Sequence, residues 1–240
     1  MSHAGKVFAV ALLAALAWAV APVAEAQPPI RIGASPSQTG VYATGGQAQL
    51  RGYQLCVKHL NDKGGVLGRK LELVLYDDTS DPATAVRLYE KLVTQDKVDL
   101  VLGPWGVTIT DAVADVTEKH RMPMVAPVST VHSIYRKGRK FIFNMLAPAE
   151  GILEGLMDLA AKKGLKTLAL IHPNDVGGRA MSQGAIELAK KKGLQVVFAD
   201  AYPLGTTDFS AILTKVRAAN PEVLGVATSV FEDGVAITRG

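Results

Sequence analysis

Short runs of β-branched and leucine residues alternate with segments of helical period from Ile30 onward. A strand followed by a helix and then by another strand builds a parallel sheet, and the helices cover both faces of that sheet. The predicted strands of this regular pattern are residues 30–35, 71–76, 100–103, 122–126, 167–172, 194–199 and 223–228. The sequence therefore predicts an α/β fold with doubly wound parallel sheets.

The alternation is interrupted once, near the middle of the chain. Residues 141–145 have the composition of a strand, yet only the polar and basic stretch 128–140 separates them from the preceding strand, and no helix fits there. Helix and strand alternate again after Pro148. Two series joined by a strand-to-strand crossing predict two lobes, an N-terminal lobe of residues 27–147 and a C-terminal lobe of residues 148–240.

The second series of strands is short. It holds four strands when the crossing strand is counted with it, fewer than a doubly wound domain usually carries. A helix is predicted to start near Phe231, and Gly240 falls within it. We therefore expect the second lobe and the return crossovers between the lobes to be incomplete in this sequence.

Two of the predicted helices have features that define a face or an end. Apolar residues recur at i, i+3, i+4 and i+7 in the first of them, namely Tyr53, Cys56, Val57 and Leu60. Side chains at this spacing share one face, so we expect Cys56 to lie in the core. In the second helix, Asp81 is the predicted N-cap and Pro82 the first helical residue.

The first 26 residues differ in composition from the rest. Lys6 precedes an apolar run that ends at Val20, and Ala24-Glu25-Ala26 is a small-x-small cleavage signal. A membrane span needs about 20 apolar residues, and Pro22 cuts this run short of that length. Residues 1–26 are therefore predicted to be a secretory signal peptide, and the exported chain is predicted to begin at Gln27.

Charge and cysteine content exclude several classes of function. Lys and Arg number 26 against 22 Asp and Glu, spread along the chain rather than gathered into the basic stripe that nucleic-acid binding requires. Cys56 is the single cysteine and the five histidines are scattered, so no spacing suits a metal ion. Gly45-Gly46 does not belong to either nucleotide-binding glycine motif. We expect no nucleic acid, no metal and no cofactor.

The loops that follow the predicted strands form the candidate ligand site. Carboxyl ends of parallel strands face a crevice, where helix N-termini offer free N–H groups and partial positive charge. Loops 104–108 and 128–131 place hydroxyl groups beside a predicted helix start. Thr108, Ser129 and Thr130 are therefore candidates to bind a carboxylate. The alternative is that these hydroxyls only cap helices.

Five stretches carry recognisable motifs, in an order and spacing that run through almost the whole exported chain. They are IRIGASPSQTG (30–40), NDKGGVLGRKLELVLYDDTSDP (61–82), GPWGVT (103–108), EKHRMPMVAPVST (118–130) and the HPND turn (172–175) with Gly177. In these motifs the chain resembles the periplasmic substrate-binding proteins of ABC transporters, in the branched-chain amino-acid (Leu/Ile/Val-binding) group.

The resemblance implies a type I periplasmic binding fold with two lobes that close on a small solute and present it to a membrane permease. It implies a monomeric periplasmic protein that is not an enzyme. In that family the ligand carboxylate is held by hydroxyls and backbone N–H groups from the loops that match Val107-Thr108 and Ser129-Thr130, and Trp105 matches a side-chain pocket position. Tyr42, which ends the loop after the first strand, is a further candidate for solute contact.

Some positions depart from the family pattern. Val107 stands where the family commonly places a serine, and Val176 and Ser229 stand where aromatic residues are common, so the pocket need not suit leucine. The acidic group that pairs with the ligand ammonium in the family belongs to a loop beyond Gly240.

Two functions of other classes stay open. One is a ligand-sensing domain of a receptor or regulator with the same fold. The other is an exported hydrolase that uses His172 as a base, although no motif places a nucleophile or a carboxylate partner beside this residue.

Overall fold

The computed structural model describes residues 27–240, and the predicted signal peptide, residues 1–26, lies outside the described residues. The strands are β1 (Ile30–Ala34), β2 (Leu71–Leu75), β3 (Leu100–Leu102), β4 (Met124–Ala126), β5 (Ile142–Asn144), β6 (Thr167–Pro173), β7 (Gln195–Tyr202) and β8 (Val223–Val226). The helices are α1 (Ala43–Asp62), α2 (Pro82–Thr94), α3 (Val107–His120), α4 (His132–Tyr135), α5 (Glu154–Lys162), α6 (Val176–Lys191), α7 (Ser210–Ala218) and α8 (Phe231–Arg239). A single 3₁₀ turn, Ala149–Gly151, precedes α5. None of the helices within residues 27–240 combines the length and apolar character that crossing a membrane requires.

The first sheet is parallel and has the strand order β2-β1-β3-β4-β5. The side chains that fill its core are apolar or aromatic and almost completely buried, and they include Tyr89, Leu92, Val101, Ile109 and Met124. They come from the central strands and from α2 and α3. Strands and helices that share one core in this way produce the alternation of strand and helix patterns in the sequence. In this 2-1-3-4-5 order the direction of winding reverses between β1 and β3, so a crevice opens at the carboxyl ends of these two strands.

The crossing strand belongs to the first sheet. β5 pairs in parallel with β4, in a register that places Met124 opposite Ile142. The basic stretch before β5 is tied to α3, because Arg139 forms ion pairs with Asp111 and Asp115. The same helix supplies Glu118, which accepts hydrogen bonds from two backbone N–H groups at the start of the crossing strand. Counting this strand with the second series is therefore wrong.

The second sheet is parallel, with the order β7-β6-β8. The central strand β6 is buried on both faces, because Leu168 and Leu170 face one apolar cluster and Ala169 and Ile171 face another. The winding direction reverses between β6 and β8, which again opens a crevice at the carboxyl ends of the strands.

Three predictions about single elements have clear outcomes. The cap of α2 is confirmed, since the Asp81 carboxylate accepts a hydrogen bond of 2.7 Å from the backbone N–H of Thr84, and Pro82 is the first helical residue. The prediction that no helix fits between β4 and β5 is wrong by one turn, because α4 lies there. The prediction of a core Cys56 is wrong, since this residue is exposed. Cys56 follows Gln49 by seven residues and so shares its helical phase, but the only buried residues of α1 are Gly46 and Gln49 near its N-terminus, and the C-terminal half of this face packs only loosely.

Candidate ligand-binding site

The crevices of the two sheets face each other. Tyr42 lies in the loop after β1, and its hydroxyl donates a hydrogen bond of 3.3 Å to Oδ2 of Asp175 in the loop after β6. Burial and the neighbouring Asp175 carboxylate raise the pKa of Tyr42, so the hydroxyl keeps its proton and remains a donor. A second contact joins the hydroxyl of Thr44, in the first turn of α1, to the carboxylate of Glu232 in α8. Segments that follow three strands, β1, β6 and β8, therefore meet at one place.

A cavity of about 260 Å³ lies between the sheets. Residues from both sheets and from the segment that connects them line it: Trp105, Gly106, Val107, Val128, Thr130, Leu146, Ala149, Ile152, Gly177, Met181, Thr228 and Ser229. The volume is close to the lower end of the range for small-molecule pockets. The lining is mostly apolar with a few hydroxyls, which is the usual composition of a site for a small organic solute.

The N-terminus of α3 opens at this cavity. Its N-cap residue is Gly106, and no side chain caps this end of the helix. The first turn of a helix carries N–H groups without a helical acceptor and a partial positive charge, so an uncapped N-terminus attracts an anion. Gly106 adopts a φ of 91°, and a Cβ at this position would lie 3.2 Å from the Tyr42 ring. Glycine is thus required by both the backbone conformation and the close packing against Tyr42.

The N-terminus of α6 faces the same cavity but is already capped. The Asp175 carboxylate accepts a hydrogen bond of 2.6 Å from the backbone N–H of Gly178. This acidic cap satisfies the first turn of α6 and supplies negative charge there. An anionic group in the cavity is therefore favoured at α3 rather than at α6.

Hydroxyl groups border the cavity on both sides. Thr130 is 6% exposed and lines it, whereas the neighbouring Ser129 is fully buried and its Oγ has no hydrogen-bond partner among residues 27–240. On the other side, the Thr228 hydroxyl lies 3.2 Å from Oδ2 of Asp233, which also accepts a hydrogen bond of 2.8 Å from Tyr202. Burial raises the pKa of Asp233.

The structure brings together only part of the residue set that the sequence suggests. Trp105, Val107, Thr130 and Ser229 line the cavity. Tyr42 packs behind Gly106 and contacts the second sheet through Asp175, and Ser129 is buried next to Thr130.

Two of the predicted residues lie elsewhere. Thr108 is exposed and does not line the cavity, because it follows Val107 by roughly 100° around α3 and points to solvent. Val176 is half-buried and packs against a small apolar cluster that includes Val131 and Ala149. His172 is also outside the cavity lining, with its Nδ1 2.8 Å from the carbonyl oxygen of Pro173.

Several lining residues are not indicated by the sequence motifs. Met181 follows Gly177 by one helical turn on α6, so the i, i+4 spacing on a helix that starts at a strand end is a signal that points to it. Leu146, Ala149 and Ile152 belong to the segment between the two sheets, where no regular period exists to indicate a face. Thr228 follows β8 directly.

A family model for periplasmic binding proteins matches residues 29–239. The chain belongs to the periplasmic binding protein family. This periplasmic binding protein is 29% identical over 195 residues to an amino acid binding protein of Pseudomonas aeruginosa, covering 80% of the chain and 52% of the relative. It is 28% identical over 196 residues to the Leu/Ile/Val-binding protein of Escherichia coli, with the same coverage of 80% and 52%.

Solved structures of the same fold extend this comparison. The branched-chain amino acid transporter substrate-binding protein of Streptococcus pneumoniae, in complex with isoleucine, superimposes with a TM-score of 0.75 at 26% identity, over 82% of this chain and 56% of that one. A solute-binding protein of an ABC transporter from Rhodopseudomonas palustris, in complex with p-hydroxybenzoic acid, gives a TM-score of 0.79 at 22% identity, over 88% and 57%. The chain spans about half the length of the curated relatives it matches.

Proposed function

We propose that this protein is the extracytoplasmic solute-binding component of an ABC transporter, which captures a small carboxylate or amino acid between two lobes and delivers it to a membrane permease. The observation that carries the proposal is the uncapped N-terminus of α3, which opens at a largely apolar cavity between the two sheets. The lobes are residues 27–147 and 148–240, and the location is the periplasm, to which the predicted signal peptide directs the chain.

The site is suited to binding rather than to catalysis. The helix N-terminus and the Thr130 hydroxyl offer donors to a carboxylate, and the apolar side chains of the cavity cover the rest of the solute. Groups with the geometry of a nucleophile and its base are not found together among residues 27–240 that line the cavity. The amino-acid-binding names of the relatives support a solute that carries a carboxylate.

The two sheets each contribute half of the site, which gives a physical basis for closure. Trp105, Val107 and Thr130 come from the first sheet, and Gly177 and Ser229 come from the second. A solute that contacts both halves stabilises the closed form relative to the open form by its additional contacts.

Isothermal titration calorimetry and thermal-shift measurements on the purified protein with leucine, isoleucine, benzoate and 4-hydroxybenzoate test the proposal. At least one of these carboxylates is expected to bind, and Thr130→Val is expected to weaken its binding about 2- to 10-fold through loss of one hydrogen bond. Thr94→Val is the matched control, because the Thr94 hydroxyl is exposed and bonds only within α2. Absence of binding for every carboxylate would contradict the proposal.

A further inference from the structure

The two helices on one face of the second sheet, α5 and α6, end in the same sequence. Residues 162–165 and 191–194 are both Lys-Lys-Gly-Leu. Gly164 and Gly193 have φ values of 76° and 74°, and in each case the N–H group of the following leucine donates back to an alanine carbonyl in the last turn of the helix. Each helix therefore ends in a left-handed glycine turn, and the lysines before this turn stay at the surface.

These two turns lie side by side at the amino edge of the second sheet. The backbone N–H of Gln195, the first residue of β7, donates a hydrogen bond of 2.8 Å to the carbonyl oxygen of Lys166, just before β6. Nζ of Lys192 lies 2.5 Å from Oδ1 of Asp158 in α5. α5 and α6 cover one face of this sheet, and α7 and α8 cover the other.

Six exposed lysines are thereby gathered at one edge of the sheet, which we call the lysine patch: Lys162, Lys163, Lys166, Lys190, Lys191 and Lys192. The cavity is lined by residues that follow the carboxyl ends of β6 and β8, such as Gly177 and Ser229. The lysine patch therefore lies at the end of the second lobe opposite the candidate site.

The lysine patch keeps a net positive charge. Within residues 27–240, Lys192 is its only member that forms an ion pair. The other carboxylates beside the patch have partners of their own, since Glu222 accepts from the backbone N–H groups of Lys166 and Thr167, and Glu187 accepts from Gln183. A helix C-terminus carries about half a negative charge, so the two helix ends balance about one lysine. Six lysines thus exceed the negative charge around them.

An apolar side chain lies among these lysines. Leu159 is 51% exposed, and Lys162 and Lys163 follow it at i+3 and i+4, so the three side chains share one face of α5. An exposed leucine beside lysines suits the surface of a membrane, where the apolar side chain enters the headgroup boundary and the ammonium groups meet lipid phosphates. A purely polar polyanion such as nucleic acid has no use for the leucine.

We propose that the lysine patch binds the anionic surface of a phospholipid bilayer, with the lysines at the lipid phosphates and Leu159 in the headgroup region. Several lysines near an anionic membrane act together, and salt screens their attraction, so the binding is reversible. The cavity would then face away from the bilayer and stay open to solute. This inference goes beyond the proposed function, and it does not depend on which solute the cavity binds.

Co-sedimentation of the purified protein with lipid vesicles tests the inference. One set of vesicles contains phosphatidylglycerol and phosphatidylcholine in equal amounts, and the other contains phosphatidylcholine alone. At about 10 mM salt we expect binding to the anionic vesicles to be at least about tenfold stronger than to the neutral ones, and we expect it to be lost at about 500 mM salt.

Paired variants separate the lysine patch from the net charge of the chain. The double variant Lys190→Gln and Lys191→Gln is expected to weaken binding to the anionic vesicles about 10- to 30-fold, because each lysine near such a surface contributes about fivefold. The control is Lys63→Gln with Lys140→Gln, which removes the same charge from exposed positions in the first lobe and is expected to leave vesicle binding within about twofold. Leu159→Gln tests the apolar contact and is expected to weaken vesicle binding about threefold.

The outcomes keep this inference distinct from the proposed function. Equal binding to both kinds of vesicle, or no binding to the anionic vesicles at low salt, would overturn the inference, and so would an equal loss in the two double variants. Tighter binding to a duplex DNA oligonucleotide than to the anionic vesicles, at the same salt, would overturn the choice of a lipid surface. Solute affinity is expected to be the same in all variants, and the absence of solute binding would contradict only the proposed function.

Discussion

Asp78, the second residue of the Asp77-Asp78 pair after β2, is a buried carboxylate that ties together the loops around the site. Its side chain is fully buried, and Oδ1 accepts hydrogen bonds of 2.6 Å from Ser37 and 3.0 Å from the backbone N–H of Ser80. Burial raises the pKa of Asp78 from 3.8 to about 6, against the opposing effect of these hydrogen bonds. The protonated form is therefore favoured in the folded protein relative to the unfolded chain.

Stability is expected to depend on pH through this residue. Between about pH 4 and pH 6 the folded protein binds a proton at Asp78 that the unfolded chain does not, so the contribution of Asp78 to the free energy of unfolding rises as the pH falls through this window. This stabilising contribution of Asp78 is lost as the pH rises through 6. The full effect is on the order of 2–3 kcal/mol. Urea unfolding of the unmodified protein and of Asp78→Asn, at pH 4.5 and pH 7.5, measures this difference directly.

Asp78→Asn is expected to remove the pH dependence while the amide still accepts from Ser37 and Ser80. Asp77→Asn serves as a control of opposite sign. Burial acts to raise the pKa of Asp77, but hydrogen bonds from Thr79, Thr39 and other groups outweigh it and hold the pKa below its usual value. The unmodified Asp77 therefore stabilises the protein at neutral pH and loses this effect in acid. Identical pH profiles for the unmodified protein and Asp78→Asn would contradict the prediction.

At the scale of elements, the N-termini of α3 and α6 meet across the site. A Cβ added to Gly177 in α6 would lie 3.3 Å from Cγ2 of Val107 in α3, a contact between the two sheets. Gly177 has an ordinary helical φ, so alanine there strains neither the backbone nor its own helix. Gly177→Ala is therefore expected to weaken solute binding about 3- to 10-fold through overpacking at the closed interface, with little change in melting temperature.

Gly106→Ala is the control variant for Gly177→Ala. Gly106 has a φ of 91°, and its added Cβ would press on the ring of Tyr42 in the same sheet. This variant is expected to lose stability by about 1–2 kcal/mol, because the strain exists in the open and closed forms alike, and to lose affinity as well, because Gly106 lines the cavity at the N-terminus of α3 where the solute carboxylate is proposed to bind. Calorimetric titration and thermal unfolding of both variants separate the two effects. A Gly177→Ala protein that melts as early as Gly106→Ala would contradict the prediction.

The elements that the sequence predicts well are those whose pattern is local. Alternating β-branched runs and helical periods predict the strands and most of the helices to within a few residues, and the α2 cap follows from Asp81 and Pro82 alone. The face of α1 is predicted in the correct phase, since Gly46 and Gln49 align with Tyr53 and Val57, but its depth of burial is not, because only the N-terminal part of the helix is buried and Cys56 is exposed. The sheet that receives β5 is defined by its parallel pairing with β4, a contact between strands that no local period reveals.

The residues of the candidate site are also predicted only in part from the sequence. The loops after β3 and β4 follow from the rule that ligands bind at the carboxyl ends of parallel strands, and Trp105 and Thr130 lie in them. A helix turns by about 100° per residue, so neighbouring residues at its start face different surroundings. Val107 lines the cavity, whereas the next residue, Thr108, is exposed. The contact of Tyr42 with Asp175 joins positions 133 residues apart, and only the packing of the two sheets brings it about.

At the scale of the whole molecule, Tyr42 couples the anion-attracting end of α3 to the second sheet. Its ring packs on Gly106 and its hydroxyl bonds to Asp175, the cap of α6. Tyr42→Phe keeps the ring and removes the hydroxyl, so it is expected to destabilise the closed form by about 0.5–1.5 kcal/mol and to weaken solute binding about 2- to 10-fold. Calorimetric titration measures the affinity, and small-angle X-ray scattering at matched solute concentrations measures the closed fraction.

Tyr53→Phe is the matched control for closure. The Tyr53 hydroxyl donates to the carbonyl oxygen of Gly103 within the first sheet, so its loss affects the open and closed forms equally. Tyr53→Phe is expected to lower the melting temperature without changing the solute-dependent decrease in radius of gyration. Equal losses of affinity in the two variants would mean that the Tyr42 hydroxyl acts within its own sheet. A loss confined to Tyr42→Phe means that closure depends on the loops at the two points where the winding of the sheets reverses.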